Sequence, residues 1–484
     1  MVRSGRWPRP ERVARPAAGT RMSGMSRPAA RLLAAALACG LAVPLVAQSA
    51  DQAWLAPLRP TVSKLLAAAQ ADDFAWRRLA ELTDTYGNRL SGSENLTRAI
   101  RWAEATMKKD GLANVRAEKV MVPRWVRGQE SLTIIDPPEH PVVMLGLGGS
   151  VATPPAGIEA AVLVVKDFKD LEARAAEAKG KVVLFNVPYT NYGQTVAYRS
   201  GGASAAAKVG AVASLVRAVG PMGLRTPHTG NMSYAEGVSK IPTAAIAAED
   251  ANRIQRLTDR GLTVRVRLKM EAHMEPDAES ANVFGEIVGR ELPKEIVLVG
   301  CHFDSWDVGM GASDNGVGCI VTWEALRLMK NLGIQPKRTV RVGLFTNEEN
   351  GTRGGNGYRD AHLATAADHV FALESDSGVF APARLGFTGP PAARKYIDDI
   401  ATLLTPLGFP PVGPGGGGAD IGPISQAGKV PMMAYDGDAT RYFTIHHTPA
   451  DTVDRIAPEE VSKAAAAIAT MAYVIADMPD RLPK

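Results

Sequence analysis

The stretch Glu295 to Met329, EIVLVGCHFDSWDVGMGASDNGVGCIVTWEALRLM, admits few folds. It opens on a short apolar, β-branched run, Ile296 to Val299, of the kind that a sheet buries on both faces. His302, Asp304, Asp307 and Asp314 follow the run. From Val317 onward apolar residues recur at 320, 321, 325, 328, 329 and 332, which is one face of a helix. The unit is therefore strand, acidic loop, helix. In open α/β sheets ligands bind beyond the carboxyl ends of the strands, so a loop carrying His and carboxylates there is where chemistry is expected.

From Asn282 the same rhythm continues through NVFGEIVG, EIVLVGC, a helix over 317–332, RTVRVGLFT, HVFALES, a helix near 392–405, PMMAYD and a last helix from Pro458 to Ala476. Near the N-terminus residues 51–80 predict helix, a second helix is capped at Ser93 and stopped by Gly111, and Val115 to Val126 has a strand pattern. Together these pieces predict an α/β domain whose central mixed sheet is flanked by helices. Between 127 and 276 the texture changes. Short strand candidates (ESLTIID, AAVLVV, KVVLFNV) alternate with Pro and Gly clusters, a small-residue helix SAAAKVGAVASLVRAV follows, and IPTAAIA and LTVRVRLKMEA complete the segment. This predicts a mainly β module, 127–276, inserted into a catalytic domain made of 51–126 and 277–484.

The net charge of +5 is misleading as a guide to partners. The first fifty residues contribute +7, from eight Arg and one Glu, so residues 51–484 carry −2 and no nucleic-acid partner is expected. The leader reads as a signal peptide over 1–49. Arg27 and Arg31 precede an apolar run, Leu32 to Ala47, too short for a membrane span, and small residues near Ala47 and Ser49 offer a cleavage site. Met22 and Met25 are alternative starts to Met1, and Cys39 resembles a lipoprotein cysteine only loosely. The expectation is an exported, periplasmic or secreted protein without a membrane span. Cys301 and Cys319 flank the acidic loop and are expected as buried free thiols, since a disulfide would tether the loop that has to hold metal.

Four polar clusters follow four strand candidates: His302 with Asp304 and Asp314, then Glu348-Glu349, then Asp376, then His446-His447 with Asp451. Each alone reads as capping or structural. Their common position, and their restriction to His and carboxylates, suit zinc or a similar divalent ion, and the excess of carboxylates suits a pair of ions sharing one bridging carboxylate. Adjacent residues of a strand face opposite ways, so Glu348 and Glu349 can share a site only past the strand end, where Asn350-Gly351 supplies a turn.

The segments HFDSWDVGMGASDNG, FTNEENG, LESDSG and HHTPADT, with KVGAVASLVR, TPHTG and KIPTAAI outside the site, resemble the M28 metallopeptidase family, the co-catalytic zinc aminopeptidases. The likeness runs over nearly everything after the leader, and the inserted module resembles a protease-associated domain. It implies two Zn2+ per chain, one held by His302 and Asp376 and the other by Glu349 and His447, with Asp314 bridging. It further implies Glu348 as general base, Asp304 orienting His302 through the second ring nitrogen, a small peptide substrate, and a homodimer. Asn315 stands where the family commonly has a second Asp, and the glycine-rich 413–428 stands where a more polar loop is usual.

The activity expected is hydrolysis of dipeptides or short unblocked peptides, with a broader N-terminal aminopeptidase, a glutaminyl cyclase and a non-catalytic receptor-like binding protein as alternatives. Trp306 could wall the site or fill the core behind it. Arg441 and Tyr442 could hold a substrate carboxylate or sit at the surface, and His228 could reach the cleft or belong to a loop.

Overall fold

The structure is a computed structural model that describes residues 50–484; the expected signal peptide, including Cys39, lies outside the described residues. The sheet that carries the site has eight strands, in the order Ala113–Val126, His273–Ile287, Arg338–Phe345, Leu292–His302, His369–Ser375, Met432–Asp436, Arg384–Thr388 and Gly413–Pro414. Its middle is parallel. Leu292–His302 pairs with Arg338–Phe345, placing His302 opposite Phe345, and on its other side with His369–Ser375, which pairs in turn with Met432–Asp436. Antiparallel strands flank this parallel centre on both sides, so the sheet is mixed as expected.

Parallel neighbours require crossovers, and the helices that make them cover the sheet. Val297, Val299 and Cys301 pack into one layer with the helices Val317–Asn331 and Pro458–Asp477. Leu298 faces the other way, among Phe345, Tyr358, Ile421 and Ile424. Coverage on both faces is why the strand reads as an unbroken apolar run, each buried Val or Leu contributing about 1.5–3 kcal/mol.

The N-terminal stretch expected as one helical region is divided into a 3₁₀ turn Ala50–Leu55 and helices Arg59–Ala69 and Phe74–Tyr86. Ser93 caps the helix Glu94–Lys109 by accepting from the Leu96 amide at 3.2 Å, an interaction of about 1 kcal/mol.

Residues 130–270 build a second eight-stranded sheet. Expected as mainly β, this segment also carries the helices Phe168–Ala173, Ala175–Ala178, Tyr192–Lys208 and Ala248–Asp259. The small-residue run 204–219 is not one helix: the helix Tyr192–Lys208 ends within it, and Ala213–Arg217 is a buried strand. Alanine's helix propensity is overridden there by pairing between two buried strands. Among the described residues no helix is long and apolar enough to cross a membrane.

Cys301 and Cys319 are joined in a disulfide, contrary to the expectation of free thiols. One ends the strand and the other lies in the first turn of the following helix, with Cα atoms 5.0 Å apart, within bridging range. The bond ties the two rigid elements that bracket the acidic loop and leaves the loop's own residues unconstrained by it.

The loop is held instead by Arg89, whose side chain is fully buried. Its Nε donates to the Phe303 carbonyl at 2.9 Å, Nη1 to Gly87 and Met310 at 3.0 and 2.9 Å, and Nη2 to Gly311 at 2.9 Å. Arg89→Met would leave these carbonyls without partners, each at a cost of about 1–3 kcal/mol. The expected result is a loss of at least about 3 kcal/mol in denaturant unfolding; a loss below 1 kcal/mol would show that solvent or other donors replace the guanidinium.

Candidate active site

The parallel strands end side by side, and the polar residues follow their ends. His302 closes one strand, Glu348 and Glu349 lie just past Phe345, and Asp376 follows Ser375. Asp314 comes from the acidic loop, and His446 and His447 follow the short helix Ala439–Ile445. His302 Nε2 lies 2.9 Å from Asp376 Oδ1 and 3.1 Å from Asp314 Oδ1. The second oxygen of Asp314 is 3.1 Å from His447 Nε2, which is also 3.0 Å from Glu349 Oε2. One carboxylate thus stands between two imidazoles, each with a further carboxylate of its own.

His446 lies 3.5 Å from the same Asp314 oxygen and stacks on His447 with ring centroids 3.6 Å apart. Ligand atoms of His302, Asp314 and Asp376 converge within 4.8 Å, as do those of Asp314, His446 and His447. His447 approaches both Asp314 and Glu349 more closely than His446 does.

The outer nitrogens of both histidines face backbone carbonyls. His302 Nδ1 is 3.0 Å from the Asp304 carbonyl, and His447 Nδ1 is 3.2 Å from the Thr229 carbonyl. A carbonyl only accepts, so both rings carry hydrogen on Nδ1 and turn Nε2 toward the carboxylates. The role expected for the Asp304 carboxylate is different here, since it lies 3.8 Å from His302 Nδ1. It accepts instead from the Glu348 and Glu349 amides at 3.1 and 3.3 Å and from the Ser91 hydroxyl at 3.1 Å, fixing the turn that carries both glutamates.

Asp451 holds Asp314 in a similar way, accepting from the Ser313 and Asp314 amides at 2.6 and 3.0 Å. Asn315 donates to the Ser375 carbonyl at 2.8 Å, which ties the loop to the neighbouring strand without adding a charge. Gly318 permits this approach, because a Cβ there would lie 2.1 Å from that carbonyl oxygen. Asp307 stands apart from the cluster and pairs with Arg127 at 2.6 Å.

The donor set fits a divalent metal. Asp314, Glu349, His302 and His447 are buried, and Glu349 Oε1 has no hydrogen-bond partner. Burial, aided by the Asp314 charge, pushes Glu349 up to about 7. Burial also lifts Glu348 well above the carboxylate range, opposed by His302 and aided by Asp376. Burial works against a charged His302, yet the Asp376 and Asp314 carboxylates hold its pKa well above the ordinary value. Buried carboxylates in such number are costly without a cation among them, and a mixture of imidazole and carboxylate is what zinc takes.

The remaining candidates divide. Trp306 is buried against Trp125 and lies 5.7 Å, ring to ring, from His447, so it fills the core behind the site. Arg441 is neutralised by Glu460 and lies over Phe380, whereas Tyr442 lines the cleft. His228 is a buried bridge, its Nδ1 2.7 Å from the His446 carbonyl.

The cleft, of about 340 Å³, is also lined by Tyr192 and Arg199 from the middle segment. Sequence analysis passed over both. Their only signal is a spacing of two helical turns, which puts them on one face of Tyr192–Lys208.

A sheet of this topology with His and carboxylates gathered at its parallel strand ends can hold metal for hydrolysis, and comparison with known proteins makes the class a metallo-exopeptidase. The profile of peptidase family M28 matches residues 282–472. Carboxypeptidase Q of Bos taurus is 45% identical over 424 residues, covering 88% of this chain and 90% of the relative. The crystal structure of a peptidase M28 precursor from Shewanella amazonensis SB2B superposes with a TM-score of 0.85 at 35% identity, covering 88% of this chain and 98% of that one. BSAP, a zinc aminopeptidase from Bacillus subtilis, shares the fold with a TM-score of 0.64 at 20% identity, covering 84% and 96%. The chain belongs to peptidase family M28.

His228 gives the site a measurable acid limit. Burial lowers its pKa from 6.5 to about 4, so unfolding takes up a proton between those values. Its contribution is complete above pH 6.5 and is lost as pH falls toward 4, up to about 3 kcal/mol. His228→Asn is expected to lose about 2–3 kcal/mol less than the native protein between pH 7 and pH 4.5 in urea unfolding. Parallel loss in the two proteins would assign the acid sensitivity elsewhere.

Proposed function

We propose that this chain is an exported dizinc peptidase that hydrolyses dipeptides or short peptides with a free N-terminus. The observation that carries the reading is the Asp314 carboxylate standing between His302 and His447, each ring with a further carboxylate beside it. His302 and Asp376 would hold one ion, Glu349 and His447 the other, and Asp314 both. Bound there, the ions supply Lewis acidity for the scissile carbonyl and a positive field for the charge that develops on it.

The protein's own part in the reaction is positional and acid–base. Glu348, on the turn fixed by Asp304, takes a proton from the attacking water and returns it to the leaving amine. Burial raises its pKa above the ordinary carboxylate range, the direction that favours taking up the proton. The free ammonium of a substrate finds the carboxylate-rich end of the cleft. The cleft's volume, about 340 Å³, lies at the small end of the range of ligand sites, roughly 300–1,000 Å³, and favours short substrates over long ones.

Export is supported by the leader's composition and by the Cys301–Cys319 disulfide, since such bonds persist in oxidising compartments. A homodimer, and the reading of 127–276 as a protease-associated insert, rest on the family resemblance.

Product analysis by mass spectrometry would use residues 51–484 with a free dipeptide, its N-acetyl form and a hexapeptide, each with and without a chelator. Cleavage of the free dipeptide alone, lost on chelation and restored by zinc, is expected. Stepwise shortening of the hexapeptide would make the enzyme a broad aminopeptidase, and no cleavage would remove the peptidase reading. Glu348→Gln is expected to lower kcat about 10²–10⁴-fold with metal content unchanged by elemental analysis. Asp314→Asn is expected to lose metal, and retention of two ions would reject Asp314 as the shared ligand.

A further inference from the structure

Arg127, the first residue after the edge strand Ala113–Val126, has a side chain only 11% exposed and engages every N–H of its guanidinium. Nε and Nη2 grip the two oxygens of Asp307 at 2.8 and 2.6 Å. Nη1 donates to the Gly146 carbonyl at 2.5 Å and to Glu130 at 3.3 Å, and Nη2 donates also to the Thr229 hydroxyl at 3.3 Å. The guanidinium lies over Trp125, 4.9 Å from the ring centroid. Three separate parts of the chain therefore meet on one side chain: the acidic loop at Asp307, the strand Met144–Gly146, and Thr229. A single nitrogen, Nη2, serves both Asp307 and Thr229.

Thr229 lies one step from the site. Its amide donates to the His447 carbonyl at 3.0 Å and its own carbonyl faces His447 Nδ1 at 3.2 Å, while its neighbour His228 holds the His446 carbonyl at 2.7 Å. Residues 226–230 belong to no strand or helix. The residue that orients His447 thus takes its place from side-chain ties, the Thr229 hydroxyl donating to the Gly146 carbonyl at 2.8 Å and accepting from Arg127. The other half of the site is built differently. His302 Nδ1 faces the carbonyl of Asp304 in its own loop, Asp376 follows a strand of the same sheet, and Asp314 between the halves is fixed by Asp451.

We propose that Arg127 is a positioning residue for His447. By joining Thr229 to the acidic loop it sets the affinity of the Glu349–His447 metal position and leaves the His302–Asp376 position unchanged. The inference rests on the two-ion reading of the site. Its physical basis is the bidentate fork, which fixes direction as well as distance, so that the Thr229 carbonyl meets the imidazole N–H at one angle. A histidine held through its outer nitrogen presents the inner one to metal without a loss of ring freedom on binding.

The test titrates zinc into metal-free protein against a competing chelator, in two backgrounds. Asp376→Asn leaves the Glu349–His447 position as the complete one, and Glu349→Gln leaves the His302–Asp376 position. Arg127→Gln is expected to weaken zinc about 10–100-fold in the first background and by less than about twofold in the second. Arg127→Lys should restore part of the loss, since an ammonium keeps the charge without the fork. Thr229→Val removes only the hydroxyl and should show the same selectivity with a smaller loss; if Arg127→Gln does not fold, this variant decides by the same comparison. Equal weakening in both backgrounds would make Arg127 a residue of general stability and overturn the inference, as would unchanged affinity in the first. A native protein that binds fewer than two zinc ions overturns the two-ion reading and the inference with it.

Discussion

The site depends on keeping several carboxylates together in a buried space where their charges repel. Asp314 is the centre of this problem, because its two oxygens face two different histidines. The fold meets the cost before any ligand arrives by spending backbone amides and rigid elements on the carboxylates. Asp451 spans the amides of Ser313 and Asp314, Asp304 spans those of Glu348 and Glu349, and Arg89 closes the acidic loop from beneath with four carbonyls. Preorganised dipoles of this sort need no rearrangement when charge changes in the cleft.

Two layers of control over the histidines follow from the same economy. Each ring is oriented by a carbonyl, His302 from its own loop and His447 from Thr229. The carboxylates that might have oriented them are thereby left for other tasks. This division explains how one loop with several acidic residues, Asp304, Asp307 and Asp314, serves three purposes: a turn clamp, an ion pair with Arg127, and the shared position between the rings.

Much of this was legible in the sequence because strand ends advertise themselves. An apolar run followed closely by His or carboxylate, repeated along the chain, marked His302, Glu348, Glu349 and Asp376, the family resemblance singled out Asp314 and His447, and the structure brings all of them to one cleft. The mixed sheet was legible for the same reason. What escaped was whatever depends on a backbone carbonyl or on a partner distant in sequence. The Asp304 carboxylate was assigned to His302 because a carbonyl leaves no trace in residue type. The disulfide was set aside because it would tether the acidic loop, whereas it joins the strand end and the helix start that bracket the loop, with Cα atoms 5.0 Å apart. Arg89 and Arg199 look like ordinary surface cations until the chain folds around them.

The contact of Thr229 with His447 ties the segment 130–270 to the site. The Thr229 amide donates to the His447 carbonyl at 3.0 Å while its own carbonyl holds the ring, a reciprocal pair between residues 218 positions apart. Excision of residues 127–272 would keep every strand of the site-bearing sheet and yet release one imidazole to rotate. The segment 130–270 is therefore part of what orients His447, however far it lies from the histidine in sequence.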